Sequence, residues 1–233
     1  MKHPVLAVVL AIPLVLTSAP SLAGEVEESI ENALKVMGHA ETDETIEAAA
    51  WSVIALGGKA LPNLTQRLAS ATNDEERIQI SYILSTIVGQ AKFSHEAIEL
   101  PPALPALVGE LLLESQYPQL EANLANLSGF IAPNAQVLGP GLLALLERTE
   151  DEALRATTSA AISLQGKKVL PLVRFALHNS KSDRFSGDLA WLLYDTDLTR
   201  QSIASLRKLV KSDNEQARRS AARTLDRGGW REK

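Results

Sequence analysis

A Leu-Pro pattern recurs along the chain and constrains its fold more than any other feature. The template is Leu-Pro-x-Leu-x3-Leu, and its copies begin at residues 61, 104, 139, 170 and 203. The steps between copies are 43, 35, 31 and 33 residues, a period typical of chains built from one repeated supersecondary motif. The anchors are Leu61, Pro62, Leu64 and Leu68; Leu104, Pro105, Leu107 and Leu111; Gly139, Pro140, Leu142 and Leu146; Leu170, Pro171, Val173 and Leu177; and, without proline, Ile203, Ala204, Leu206 and Val210.

Each copy of the template predicts one α-helix followed by a second. The anchors are spaced i, i+3, i+7, which places them on one helical face. Each proline is expected near a helix start, where its missing N–H has no intrahelical partner to lose. An apolar residue stands 22 residues after each proline, and one residue earlier in the last copy. These second-helix positions are Leu84, Leu127, Ile162, Leu193 and Leu225.

Polar residues predict where the second helices begin. Three segments resemble capping boxes, in which a hydroxyl and a glutamate three residues later satisfy free N–H groups. An arginine follows each box. The predicted boxes and arginines are Thr72 with Glu75 and Arg77, Thr149 with Glu152 and Arg155, and Ser212 with Glu215 and Arg218.

A further pair of helices is predicted before the first template copy. The second-helix pattern spans residues 43–56, and an opening helix is expected from Val26 to Met37. Aromatic residues make up only 4% of the chain, and alternating β-branched runs are missing. The sequence therefore predicts an all-α fold of about six antiparallel helix pairs, whose neighbours cover each other's apolar faces.

The repeated units resemble HEAT or HEAT-like repeats. The clearest copies are LGGKALPNLTQRLASATNDEERIQISYIL, TEDEALRATTSAAISLQGKKVLP and SDNEQARRSAARTL, and the resemblance covers residues 43–227. Two units depart from it: Leu120 stands where the arginine is expected, and Asp183-Arg184 is displaced by about two residues. The resemblance implies a right-handed α-solenoid that binds other macromolecules.

The first 23 residues predict a cleaved signal peptide. A polar start at Lys2 precedes the apolar run from Val5 to Leu16, and Ala23 ends a small-residue cleavage site. The run is too short to span a bilayer as a helix. The chain has no cysteine, which excludes disulfides and thiolate chemistry. We therefore expect a periplasmic or secreted protein with one repeat domain at residues 24–233.

Charge is distributed unevenly within the net charge of −5. Residues 24–50 carry a net charge of −7, and residues 200–233 carry +6. The basic end is the strongest candidate for a partner-binding site, because charged faces attract opposite charge over long distances. Its alternative role is to keep a terminal repeat soluble. The candidate residues are Arg207, Lys208, Lys211, Arg219, Arg223 and Arg227.

Three histidine clusters are weaker candidates for chemistry. His95 and Glu99 lie in an insertion of about ten residues. We interpret the three clusters as polar residues of loops and helix starts. Two ligands are too few for a zinc site, and no nucleophile motif is present. No catalytic residue, metal site or cofactor is predicted. The other two clusters are His39 with Glu41, Asp43 and Glu44, and His178 with Ser180 and Asp183.

Three aromatic residues of the second helices allow two interpretations. Core packing is expected for Trp51, Tyr82 and Trp191, with an exposed partner anchor as the alternative.

For the whole chain we expect a non-enzymatic scaffold that binds a protein partner and no nucleic acid. The chain is expected to be a monomer or to self-associate weakly. A binder of anionic envelope polymer or membrane surface is the second hypothesis. A lyase-type enzyme, implied only by certain HEAT-like families, is the third.

Overall fold

The computed structural model describes residues 22–196 and 200–230, and every regular element within them is helical. The all-α prediction is therefore confirmed for this part of the chain. Residues 1–21 of the predicted signal peptide lie outside it. The described residues form twelve α-helices, which are α1 (Leu22–Met37), α2 (Asp43–Ile54), α3 (Leu61–Ser70), α4 (Asp74–Ser94), α5 (Leu104–Glu114), α6 (Pro118–Phe130), α7 (Ala135–Arg148), α8 (Glu152–Leu164), α9 (Leu170–Asn179), α10 (Asp183–Thr196), α11 (Arg200–Leu209) and α12 (Glu215–Arg227).

Each helix packs against at least one of its neighbours in sequence and, in most cases, against the helix two positions further along. The even-numbered helices contact one another in unbroken order from α2 to α12, and we call them the even row. Among the odd-numbered helices, α1 contacts α3, α5 contacts α7, and α7 contacts α9. The even row is therefore a continuous layer whose inner side covers the odd-numbered helices.

The apolar core follows the repeated template closely. Leu61, Leu64 and Leu68 are fully buried, and all five second-helix positions from Leu84 to Leu225 are buried as predicted. Three anchors are less buried than the pattern predicts, and Ile203 is one of them, being half-buried. Leu107 is half-buried, because Val108 takes the buried position beside it. Val210 is exposed, because α11 ends at Leu209.

The two most similar segments of the sequence adopt the same local structure. Gly57 and Gly166 have φ values of +58° and +66°, a region that glycine occupies without strain. Each opens a short 3-10 turn, Gly57–Ala60 or Gly166–Val169, which leads directly into a helix with proline in its first turn. The proline placement is thus confirmed for these two units.

The proline prediction is wrong for α7. This helix begins at Ala135, so that Pro140 lies inside it rather than at its start. The segment around Pro140 packs very closely on α5. A methyl group added at Gly141 would lie 2.8 Å from the carbonyl oxygen of Gly109. The glycine allows this close approach, which favours the helical conformation despite the N–H that proline lacks.

The predicted capping boxes are also wrong, by one or two residues. The N-caps are Asn73, Asp151 and Asn214, whose side-chain oxygens accept the N–H groups of the residues three positions later at 2.8–3.1 Å. Asn and Asp place an oxygen over the first turn at least as well as Ser or Thr does. Each therefore takes the place of a hydroxyl residue that stands one or two positions before it in the sequence.

Two of the three arginines that follow these caps bond to carbonyl oxygens at or just after the end of the preceding helix, whereas Arg77 pairs with Asp74 of its own helix at 3.5 Å. The Arg155 guanidinium donates to the carbonyl oxygens of Leu146 at 2.9 Å and Thr149 at 2.7 Å, where α7 ends. Arg218 donates to the Ser212 carbonyl at 2.8 Å, just after α11. The last carbonyls of a helix have no intrahelical partner, so these bonds satisfy groups that are otherwise exposed.

The unit that lacks its arginine receives one from the next helix. Leu120 occupies the expected position in α6, and Arg148 of α7 donates instead to the carbonyl oxygens of Leu112 at 2.8 Å and Ser115 at 3.1 Å. The same guanidinium pairs at 2.7 Å with Glu121, which is 5% exposed. The departure from the repeat pattern is thus compensated in three dimensions.

Candidate interaction surfaces

The predicted basic residues lie on the surface of the last two helices. Arg219, Arg223 and Arg227 are exposed along α12, and Arg207, Lys208 and Lys211 are exposed on and just after α11. The opposite side of α12 is buried through Ala217, Ala221 and Leu225. The arrangement gives a solvent-facing row of cations at one end of the even row.

Neighbouring groups already engage several of these cations. Arg219 pairs with Glu215 one turn earlier and lies 3.9 Å from the Asp183 carboxylate. Arg207 donates to the Trp230 carbonyl oxygen at 3.4 Å. Exposed pairs of this kind contribute little to stability and weaken the field available to a distant anion.

The prediction that the three aromatic side chains pack in the core is wrong. Trp51 is 44% exposed, Tyr82 is 38% exposed and Trp191 is 47% exposed. Helical periodicity places a residue on one side of its helix, but it does not tell whether another layer covers that side. The outer side of the even row has no such layer in the described part of the chain.

One groove on the even row lies between α8 and α10. It encloses about 780 Å³, and Trp191 forms part of its wall. Arg155 pairs with Asp188 in it, and the Ser163 hydroxyl donates to the Asp195 carboxylate at 3.2 Å. We call it the α8–α10 groove; its lining residues include Glu152, Arg155, Arg184, Asp188, Trp191 and Asp195.

Two of the charged side chains that line the α8–α10 groove, Arg155 and Asp188, form an ion pair. Burial, and secondarily the nearby charge of Arg184, lower the pKa of Arg155. A guanidinium nevertheless stays charged in a protein, so Asp188 balances a permanent cation. Through these contacts and its two carbonyl acceptors at the end of α7, Arg155 connects α7, α8 and α10.

A second groove crosses the start of the even row, and sequence reasoning missed it. It encloses about 610 Å³ between α2, α4 and α6, and we call it the α2–α4–α6 groove. Its chemistry is apolar at the base and acidic at the rim. Asp43 and Glu47 are spaced i, i+4, and Glu75 and Tyr82 are spaced i, i+7; this spacing is the sequence signal for the groove. The lining residues are Met37, Asp43, Ile46, Glu47, Ala50, Asp74, Glu75, Ile78, Gln79, Tyr82, Tyr117, Gln119 and Asn123.

Two histidine clusters occupy loops and helix ends. His95 is the exposed C-cap of α4 with φ of +57°, and residues 96–101 after it are not helical. His95 and Glu99 therefore do not share a helical turn. His39 bonds through its Nδ1 to the Lys35 carbonyl oxygen at 2.9 Å. Asp43 and Glu44 occupy the first turn of α2, which confirms their interpretation as helix-start acids.

The cluster around residue 180 follows the same pattern. His178 is exposed in the last turn of α9, whereas Ser180 is buried after it. The Ser180 hydroxyl contacts the Ser186 hydroxyl at 2.8 Å and the Ser182 carbonyl at 3.1 Å. Asp183 opens α10. These Ser180 contacts are typical of a turn that joins two helices.

Within residues 22–196 and 200–230, no three His, Asp or Glu side chains are grouped so that they could hold a metal ion. Over the same residues, none of the helices combines the length and apolarity needed to cross a membrane. Comparison with known proteins gives no match to a family model, a curated protein or a solved structure.

Proposed function

We propose that this chain is a non-enzymatic interaction protein whose even row presents the binding face for a partner protein. The observation that carries this proposal is the exposure of Trp51, Tyr82 and Trp191 on three helices of one layer. Large aromatic side chains are usually buried within soluble proteins, and they are enriched in interfaces, where they supply much of the binding energy.

The architecture proposed for this role is a right-handed α-solenoid of about six HEAT-like helix pairs. The recurrent Leu-Pro anchors and the unbroken contacts of the even row support it. In such stacks each unit contacts mainly its neighbours, and small rotations between units create an extended concave surface. We place the binding face on that surface. The sequence of residues 1–23 supports a periplasmic location.

The basic end supports a second candidate function. The exposed row of Arg219, Arg223 and Arg227 on α12 suits an acidic protein or an anionic envelope polymer. Binding of this kind weakens steeply with salt, because exposed charges are screened beyond about 8 Å at physiological ionic strength. Salt dependence therefore distinguishes the two candidates.

A retention experiment tests the proposed function. The purified chain is immobilised and exposed to envelope extract at about 20 mM and about 150 mM salt, and retained proteins are identified by mass spectrometry. The even-row proposal expects one protein to be retained at both salts and lost in the double variant W51A/Y82A. The matched control is Phe175→Ala, because Phe175 is 72% exposed on the odd-numbered helix α9.

Two outcomes would contradict the even-row proposal. Material retained only at low salt, and lost when the three α12 arginines become serine, would assign binding to the basic end. A partner retained equally by W51A/Y82A and by the unmodified chain would place its binding face elsewhere.

A further inference from the structure

The base of the α2–α4–α6 groove is apolar. Ile46 and Ala50 from α2 and Ile78 from α4 line it. Ala50 is buried, and the two isoleucines are only partly covered by the core. Tyr82 and Tyr117, which are 38% and 50% exposed, add aromatic surface to the same groove. A ligand that fills this space therefore needs an apolar portion to gain the favourable burial.

The rim of the same groove is acidic. Asp43, Glu47, Asp74 and Glu75 belong to its lining, which includes no lysine, arginine or histidine. Asp74 has a cationic neighbour, Arg77, at 3.5 Å. Glu47 accepts a bond of 3.3 Å from the indole N–H of Trp51, which leaves its charge uncompensated. The groove thus retains a negative field above an apolar base.

Carboxylates beside tyrosine faces favour one class of ligand group. A guanidinium or ammonium is attracted both by the carboxylates and by the faces of aromatic rings. We propose, as a refinement that rests on the proposed function, that the α2–α4–α6 groove binds a segment of the partner protein in which Lys or Arg alternates with apolar side chains. The apolar side chains occupy the base, and the cations lie against Glu47, Glu75 and the tyrosines.

The basic end of a second copy is a poorer fit to this groove. It offers cations, but the solvent-facing row of α12 is Arg219, Arg223 and Arg227, with no large apolar side chain among them. Docking of that row would satisfy the rim and leave the apolar base uncovered. The complementary ligand must satisfy both parts of the groove.

Peptide titration tests the specificity directly. The probe is a fluorescein-labelled peptide of alternating Arg and Leu, followed by fluorescence anisotropy as the full chain is added at about 150 mM salt. One comparison peptide replaces every Arg with Glu, and another replaces every Leu with Ser. We expect each comparison peptide to bind at least about tenfold more weakly than the Arg-Leu peptide.

Variants of the groove locate the binding. We expect the double variant E47Q/E75Q to bind the Arg-Leu peptide about fivefold more weakly and Y82A about tenfold more weakly. The matched controls are Glu110→Gln, an exposed acid of α5, and Phe175→Ala, an exposed aromatic of α9. Both controls are expected to bind as the unmodified chain does. Circular dichroism melts verify that every variant is folded.

Several results would overturn the assignment. The first is equal binding of the Arg-Leu peptide and the peptide in which Ser replaces every Leu. That result would show that charge attraction alone accounts for binding. The second is equal loss of binding in Glu110→Gln and in E47Q/E75Q. The third is self-association of the chain that blocks the peptide and is abolished by R219S/R223S/R227S, which would make a second copy the occupant.

Failure of this inference is separable from failure of the proposed function. If E47Q/E75Q and Y82A retain a partner from extract normally but W51A/W191A does not, the even row remains the binding face and this groove is rejected. An extract that yields no partner would reject the proposed function, while the peptide titration would still report on the groove.

Discussion

The two grooves of the even row differ in what their charges contact. In the α8–α10 groove, two cations accompany three acids, and Arg155 is engaged with Asp188 and with two carbonyl oxygens. In the α2–α4–α6 groove, four acids line the rim with no cation among the lining residues. Both grooves lie next to exposed aromatic side chains, so charge pairing rather than exposure distinguishes them.

This difference separates charges that hold helices together from charges that remain available to a ligand. A buried guanidinium with satisfied acceptors is costly to remove, because its partners are left without compensation. An exposed carboxylate without a cationic partner contributes little to folding. The α8–α10 ion pair is therefore part of the fold, whereas the Glu47 and Glu75 carboxylates of the other groove remain available to a ligand.

The largest expected effect on stability comes from removing Arg155, which connects α7, α8 and α10 at the α8–α10 groove. Arg155→Ala removes the cationic partner of the Asp188 carboxylate and the hydrogen-bond donor of the Leu146 and Thr149 carbonyl oxygens. We expect the free energy of unfolding to fall by about 2–3 kcal/mol, at the lower end for a buried pair because Asp188 is partly exposed. Thermal melts followed by circular dichroism should show a midpoint lower by about 5–10 °C.

A conservative variant provides the control. Asp188→Asn keeps both bonds from Arg155 to the end of α7 and removes only the carboxylate charge. It should cost less than half of what Arg155→Ala costs. An Arg155→Ala protein as stable as the unmodified chain would contradict the structural role that distinguishes this groove.

The smallest effect on stability is expected at the other groove. E47Q/E75Q removes two uncompensated negative charges from one rim, and it leaves the apolar base unchanged. We expect the free energy of unfolding to change by no more than about 0.5 kcal/mol, because these side chains are exposed. Urea unfolding of this variant beside Arg155→Ala measures the contrast; a loss comparable to that of Arg155→Ala would abolish the distinction between the grooves.

The helices were predictable because the same spacing of apolar residues recurs along the chain. Leucines at constant spacing identify the buried side of a helix, and the positions from Leu84 to Leu225 are buried as expected. The helix starts were harder to predict, since several polar residues compete for each cap; Asn73 takes the role expected of Thr72. Pro140 was misplaced because its helix extends backwards to Ala135, where close packing on α5 favours it.

The candidate site was less accessible to sequence reasoning. The groove residues come from three helices that are separated in the chain, so no local motif combines them. The Arg148 bonds to Leu112 and Ser115 join different units and replace the arginine that the pattern lacks at Leu120. The exposure of Trp51 and Trp191 could be predicted only by knowing which helices form the outer layer. The basic end, by contrast, is continuous in sequence and was recognised from charge alone.

Hydroxyl-radical footprinting of the chain with a retained partner measures which side chains the partner covers. We expect Trp51 and Tyr82 to lose reactivity when the partner binds, whereas Phe175 on α9 stays as reactive as in the free chain. Protection of Phe175 with unchanged reactivity at Trp51 and Tyr82 would contradict the assignment of the even row as the binding face.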